Sequence, residues 1–184
     1  FRQKNLRQFI QNYRRAIAFD FFDPTYYRSQ LNHDLQNWLD PLAHFLSQRP
    51  TTSFCPHPLF DTHYYVEHNP SVLSSGVNPL AHFVSNGHRE DRSPHALIDI
   101  DYYTTIYPDI KDESNSQPLL HLILFGLKEN RHSHLLFDCG YYLEKNPDVA
   151  ESGVNPLVHF LETGSSERRE PSRMFDSAFY LQTN

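Results

Sequence analysis

The sequence predicts an all-α tandem array of helical repeats, solenoid-like, with an amphipathic helix at its N-terminal end. Three observations predict it. An apolar residue followed by Asp recurs as Phe22-Asp23, Phe60-Asp61, Ile98-Asp99, Phe137-Asp138 and Phe175-Asp176, spaced by 38, 38, 39 and 38 residues. Pro and Gly fall at matching places inside the copies, where helices start and stop. The strict apolar/polar alternation of a half-buried strand is missing. No copy of this size can bury its apolar face alone, so stacking of neighbours is expected to make the core.

The predicted organisation is residues 1–21 as a basic capping or membrane-surface helix, then repeats at 22–59, 60–97, 98–136 and 137–174, and the start of a truncated fifth at 175–184. The chain begins with Phe and stops just inside a new copy, so it reads as a piece of a longer protein. Within residues 1–19, Leu6, Phe9, Ile10, Tyr13 and Ile17 share one helical face, and the arginines mostly lie off it. This face is expected to cover the first repeat. A basic amphipathic helix also suits an anionic membrane surface or a partner.

Each copy parses into short helices. Asp61 is the expected N-cap of the first, with Phe60 and Tyr65 as the two ends of a hydrophobic staple. The same pairs are Phe22/Tyr27, Ile98/Tyr103, Phe137/Tyr142 and Phe175/Tyr180. Asn69-Pro70 starts a second helix closed by Gly76, as do Asn146-Pro147 and Gly153. Copy 3 keeps only Tyr107-Pro108, and copy 1 degenerates to Asn32-His33. Asn78-Pro79 starts a third helix, read as ending at Gly87, with Leu80, Phe83 and Val84 as its apolar stripe. A Glu-x-Arg element follows: Glu90/Arg92, Glu129/Arg131 and Glu167/Arg169.

Charge narrows the function classes. Residues 1–20 hold five basic residues and one acid, net +4, whereas the remainder is net −10. A body this acidic argues against a nucleic-acid face. No stretch approaches the ~20 apolar residues of a membrane span. Cys55 and Cys139 occupy different repeat slots, read as free thiols in a reducing compartment.

Four histidines, His44, His82, His121 and His159, occupy one slot of the third helix. The slot lies roughly 150° from the centre of the apolar stripe. Repetition favours a structural imidazole bonded to the repeated Asp, a backbone carbonyl or the Glu-x-Arg loop. A row of ligand-binding positions is the alternative. The first tyrosine of each pair, Tyr26, Tyr64, Tyr102 and Tyr141, has no role in the staple. With the histidine slot and Glu167/Arg169, these are the candidate binding residues. Exposure of the tyrosines in a groove would favour glycan stacking, and burial would favour a scaffold. Asp99-Ile100-Asp101 resembles a metal-holding D-x-D, but Asp99 is the expected cap. His132 and His134 form an H-x-H without a further ligand at metal-site spacing. Phosphate-binding glycine loops and hydrolase signatures are missing, so no catalytic residue, metal or cofactor is assigned. Twelve histidines point to sensitivity to mild acid.

The stretch Phe137 to Ser172 resembles a repeat of bacterial cell-surface polysaccharide proteins. It carries Phe137-Asp138, Tyr141-Tyr142-Leu143, Asn146-Pro147-Asp148-Val149, Gly153, Asn155-Pro156-Leu157, His159-Phe160-Leu161, Gly164, Glu167, Arg169 and Pro171. The resemblance covers residues 22–184 and is most specific in copies 2 and 4. Similar repeats lie beside glycosyltransferase domains of capsule or O-antigen synthesis, and also occur in secreted haemolysin-type proteins. The resemblance implies a non-catalytic module, acting as a protein-interaction scaffold or a positioner of a glycan acceptor. Its partner would be a glycosyltransferase domain or another protein of the same pathway. The free thiols and the basic N-terminal helix point to a cytoplasmic setting, peripheral to the inner face of the membrane. Part of a transferase active site completed from outside the segment, or a secreted adhesive array, are the competing readings.

Overall fold

The computed structural model describes residues 2–32, 40–110 and 117–174. His33 and the start of the fifth copy, with Phe175, Asp176 and Tyr180, lie outside the described residues. Within them the fold is all-α, with no strand; isolated bridges at His57–Phe60 and His134–Phe137 close two turns. No helix among the described residues is long and apolar enough to cross a membrane.

The chain divides into two compact units, Phe1–Ala96 and Leu97–Asn184. The first holds α1 (Arg2–Phe19), α2 (Pro24–Ser29), α3 (Pro41–Ser47), α4 (Thr62–His68), α5 (Pro70–Ser75), α6 (Pro79–Ser85) and a 3₁₀ turn Gly87–Glu90. The second holds α7 (Ile100–Ile106), a 3₁₀ turn Pro108–Ile110, α8 (Pro118–His121), α9 (Cys139–Lys145), α10 (Pro147–Ser152) and α11 (Pro156–His159). Helices α8 and α11 run on into π-helical turns, Leu122–Gly126 and Phe160–Gly164.

The repeated Asp does what its chemistry predicts. Asp61, Asp99 and Asp138 each accept the N–H three residues on, from Tyr64, Tyr102 and Tyr141, at 2.9–3.0 Å. Asp23 accepts from Thr25 and Tyr26. Each such cap is worth about 1 kcal/mol. The staple rings meet at 5.4 Å for Phe22/Tyr27, 5.1 Å for Phe60/Tyr65 and 5.4 Å for Phe137/Tyr142. The four second tyrosines, with Phe45, Phe60, Phe83, Phe137, Leu80 and Leu119, are sealed from solvent and form the core of their copies.

Each copy closes on itself. The backbone N–H of Asp23, Asp61, Asp99 and Asp138 donates to the carbonyl of Pro56, Pro94, Ser133 and Pro171, at 2.8–3.0 Å. The start of a copy thus lies against its own end. Successive copies within a unit are linked by the second Asn-Pro. Asn78 caps α6 and donates Nδ2–H to the Phe45 carbonyl at 2.8 Å. Asn155 caps α11 and donates to the Leu127 carbonyl at 2.5 Å.

Two sequence expectations are corrected. Helix α1 does cover copy 1, through α3, but it also lies along α6 of copy 2. It buries Ala16 and half-buries Phe9, Tyr13 and Phe19, and leaves Leu6, Ile10 and Ile17 exposed. The helix is therefore turned by roughly a quarter of a revolution from the face its apolar pattern suggested. Ala16 adds little to an apolar pattern, but its small side chain lets α1 approach closely enough for Phe19 to meet Phe83 edge-on at 5.7 Å. The second correction concerns Gly87. Helix α6 ends at Ser85 and is capped by Asn86. Gly87 instead opens the 3₁₀ turn that follows, whereas the left-handed glycine stops expected at Gly76 (φ 68°) and Gly153 (φ 69°) are found there.

Candidate functional site

The histidine slot is engaged the same way in every copy. Its Nδ1 lies 2.8–2.9 Å from the hydroxyl of the second tyrosine, in the pairs Tyr27–His44, Tyr65–His82, Tyr103–His121 and Tyr142–His159. The Nδ1 partner is thus the staple tyrosine rather than the repeated Asp, a backbone carbonyl or the Glu-x-Arg loop. With the ring neutral, the hydroxyl donates and Nδ1 accepts. Burial favours that state, lowering the His44 and His82 pKa values, with Arg92 adding to the effect at His82. Burial also pushes Tyr27, Tyr103 and Tyr142 up to about 12 and raises Tyr65. A buried phenol bonded to a neutral imidazole holds its proton, which suits structure better than proton transfer.

The glycines explain themselves here. A Cβ at Gly87, Gly126 or Gly164 would overlap the hydroxyl oxygen of Tyr65, Tyr103 or Tyr142. Each is glycine because the tyrosine hydroxyl occupies the space a side chain needs.

Glu-x-Arg is the other half of the cluster. Arg92 Nε donates to Glu90 at 2.5 Å, and its Nη1 donates to Oδ1 of buried Asn69 at 2.7 Å. Asn69 in turn donates to the Tyr65 carbonyl at 2.7 Å. In copy 4, Arg169 reaches Glu167, Asn146 and Asp148, and Asn146 donates to the Tyr142 carbonyl. The Arg169 bond holds the Asp148 carboxyl below its usual range. The residue between Glu and Arg is left-handed in all three copies: Asp91 (φ 50°), Asn130 (φ 54°) and Arg168 (φ 62°). That kink puts both charged side chains on the same side. Copy 3 has Tyr107 where copies 2 and 4 have Asn. Arg131 packs over the Tyr107 ring at 4.8 Å, and its Nη1 finds no hydrogen-bond partner among the described residues.

None of the first tyrosines is exposed. Tyr26, Tyr64 and Tyr102 are half-buried and Tyr141 is buried. Tyr64 stacks on His68 at 4.0 Å, and Tyr141 donates to Glu170 at 2.6 Å. Asp99 is a cap, and Asp101 is exposed beside it. His132 Nε2 lies 3.7 Å from Asp138. No cluster able to hold a metal occurs among the described residues. Both cysteines are free; Cys139 is buried and its thiol is pushed up to about 12 by burial, away from reactivity.

A second histidine slot escaped the sequence reading. His57, His95 and His134 each stand three residues after the Glu-x-Arg arginine or its equivalent position, just ahead of the next apolar-Asp pair. His57 Nδ1 accepts the Leu59 N–H at 3.0 Å, and His134 Nδ1 accepts that of Leu136 at 3.1 Å. The signal was there: each lies three residues before the apolar residue that opens the next copy. No protein-family model matches the chain, and no curated protein or solved structure is significantly similar to it.

Proposed function

We propose that the copies stack as a solenoid-like array forming a non-catalytic module of a larger, glycosyltransferase-type protein of bacterial cell-surface polysaccharide synthesis. Its role is that of a protein-interaction scaffold for another component of the same pathway. One observation carries this reading: the histidine slot and the Glu-x-Arg arginine are engaged within their own copy. The histidine slot serves the tyrosine hydroxyl, and the Glu-x-Arg arginine serves Asn or Tyr in the same copy. The tyrosines that would stack on sugars are half-buried or buried, which favours the scaffold over the positioning of a glycan acceptor.

The test pairs stability with binding. His82→Ala leaves the Tyr65 hydroxyl unmatched and is expected to lower Tm by about 2–8 °C. Polysaccharide repeat-unit oligosaccharides at millimolar concentration are expected to leave the NMR signals of Tyr64 and Tyr102 unshifted. Saturable binding lost in Tyr64→Ala at unchanged Tm would install the glycan reading instead. Sugar-nucleotide turnover abolished by Asp99→Asn with His121→Gln, in a folded chain, would make the segment part of a transferase site.

A further inference from the structure

The outward side of α1 is built for a surface that is apolar and anionic at once. The helix is held along one flank. Tyr13 donates to Asp40 at 2.6 Å, Arg15 donates to Ser85 at 2.9 Å, and the Phe19 ring meets Phe83 and His88. This fixes which residues point away. Leu6 is 59% exposed, Ile10 42% and Ile17 56%, although all three belong to the apolar pattern of the helix. They fall within roughly 40° of one another around the axis. Arg14 and Arg7 come next around the helix, beside this stripe. A shallow groove of about 490 Å³ runs along that side, lined by Arg7, Ile10, Gln11, Arg14, Arg15 and Ala18. Its floor is apolar and its rim carries three guanidinium-bearing side chains.

We propose that this face docks on an anionic phospholipid membrane surface. An aliphatic stripe with a cationic band beside it is the geometry of an interfacial helix, in which side chains enter the acyl boundary while guanidiniums meet phosphates. Charge selects the occupant. Residues 1–20 are net +4 and the rest of the chain is net −10, so an anionic surface attracts this helix and repels the remainder. That difference also orients the first unit, with copies 1 and 2 turned away from the bilayer. Three exposed aliphatics without an aromatic anchor make a poor hot spot for a protein partner. The helix is already folded and braced, so docking carries no cost of helix formation.

Co-sedimentation of the chain with vesicles tests this. Vesicles of phosphatidylcholine with about a third phosphatidylglycerol are expected to bind it, and pure phosphatidylcholine vesicles are not. Arg7→Gln with Arg14→Gln is expected to weaken partitioning about 30-fold, and raised salt is expected to act in the same direction. Leu6→Gln, Ile10→Gln and Ile17→Gln together are expected to abolish it. These side chains point outward, so circular dichroism and Tm are expected to stay unchanged. Absence of binding to the anionic vesicles overturns the proposal, as does binding that survives the triple substitution. Sedimentation equilibrium showing a dimer that the triple substitution dissociates would assign the face to a second copy of the chain, and would equally overturn it. None of these results bears on the scaffold reading of the repeats.

Discussion

At the scale of single residues, the tyrosine hydroxyl of copies 2, 3 and 4 is the atom around which the others are chosen. The imidazole accepts from it and the glycine makes room for it. Gly87→Ala is expected to cost about 2–3 kcal/mol, because the added Cβ collides with the Tyr65 hydroxyl inside a packed core. Tyr65→Phe alone is expected to cost about 1 kcal/mol for the lost bond. In the Gly87→Ala background the same change removes the collision, so it is expected to restore part of the lost stability. Urea unfolding of the four proteins measures the coupling. Costs that simply add would mean that the glycine serves some other purpose. Arg168 shows a smaller strain. It is the one long side chain among three left-handed positions whose other occupants, Asp91 and Asn130, tolerate that conformation better.

Among elements, the bond between the Glu-x-Arg loop and the end of the first helix decides how a copy holds together. Asn69→Ala removes the acceptor of Arg92 and the donor to the Tyr65 carbonyl. A double-mutant cycle over Asn69 and Arg92 is expected to give about 1–2 kcal/mol of coupling. The corresponding cycle over Tyr107 and Arg131 is expected to give about 0.5–1 kcal/mol, the range of a partly exposed cation–π contact. Equal couplings would show that the ring replaces the amide in full. The caps, staples and left-handed glycines were legible in the sequence because each acts within a few residues of its partner. Tyr65 and His82 are 17 residues apart on different helices, and their bond becomes readable only when the constant spacing across copies is noticed. The orientation of α1 was hidden for a different reason. Hydrophobicity ranks Leu6 and Ile10 above Ala16, whereas close packing against α6 favours the small residue.

For the whole molecule, acidity is the natural challenge. Burial lowers the His57 pKa to about 4, with Asp23 and Asp20 opposing the effect, and lowers His44 and His82 as well. A folded pKa below the unfolded value of about 6.5 means that the unfolded chain binds protons first. The associated stability is present above pH ~6.5 and is lost as pH falls toward about 4, with His57 contributing about 3 kcal/mol. His57→Asn keeps an acceptor for the Leu59 N–H but cannot titrate. Urea midpoints taken between pH 7 and 4 are expected to fall less steeply in that variant. An unchanged slope would place the acid sensitivity elsewhere.

The bonds that close each copy also act as a gauge of its length. Tyr and His are 17 residues apart in copies 1, 2 and 4 but 18 apart in copy 3, whereas His to the next repeated Asp is 17 in every case. The additional residue of copy 3 therefore sits between the tyrosine and the imidazole, a span that contains residues 111–116. An inserted codon there shifts no bonded pair out of register, whereas one placed after the histidine would displace the glycine, the arginine and the closing carbonyl together. Mutational drift in such a gene is thus expected to gather as length variation in the first half of each copy and to be purged from the second.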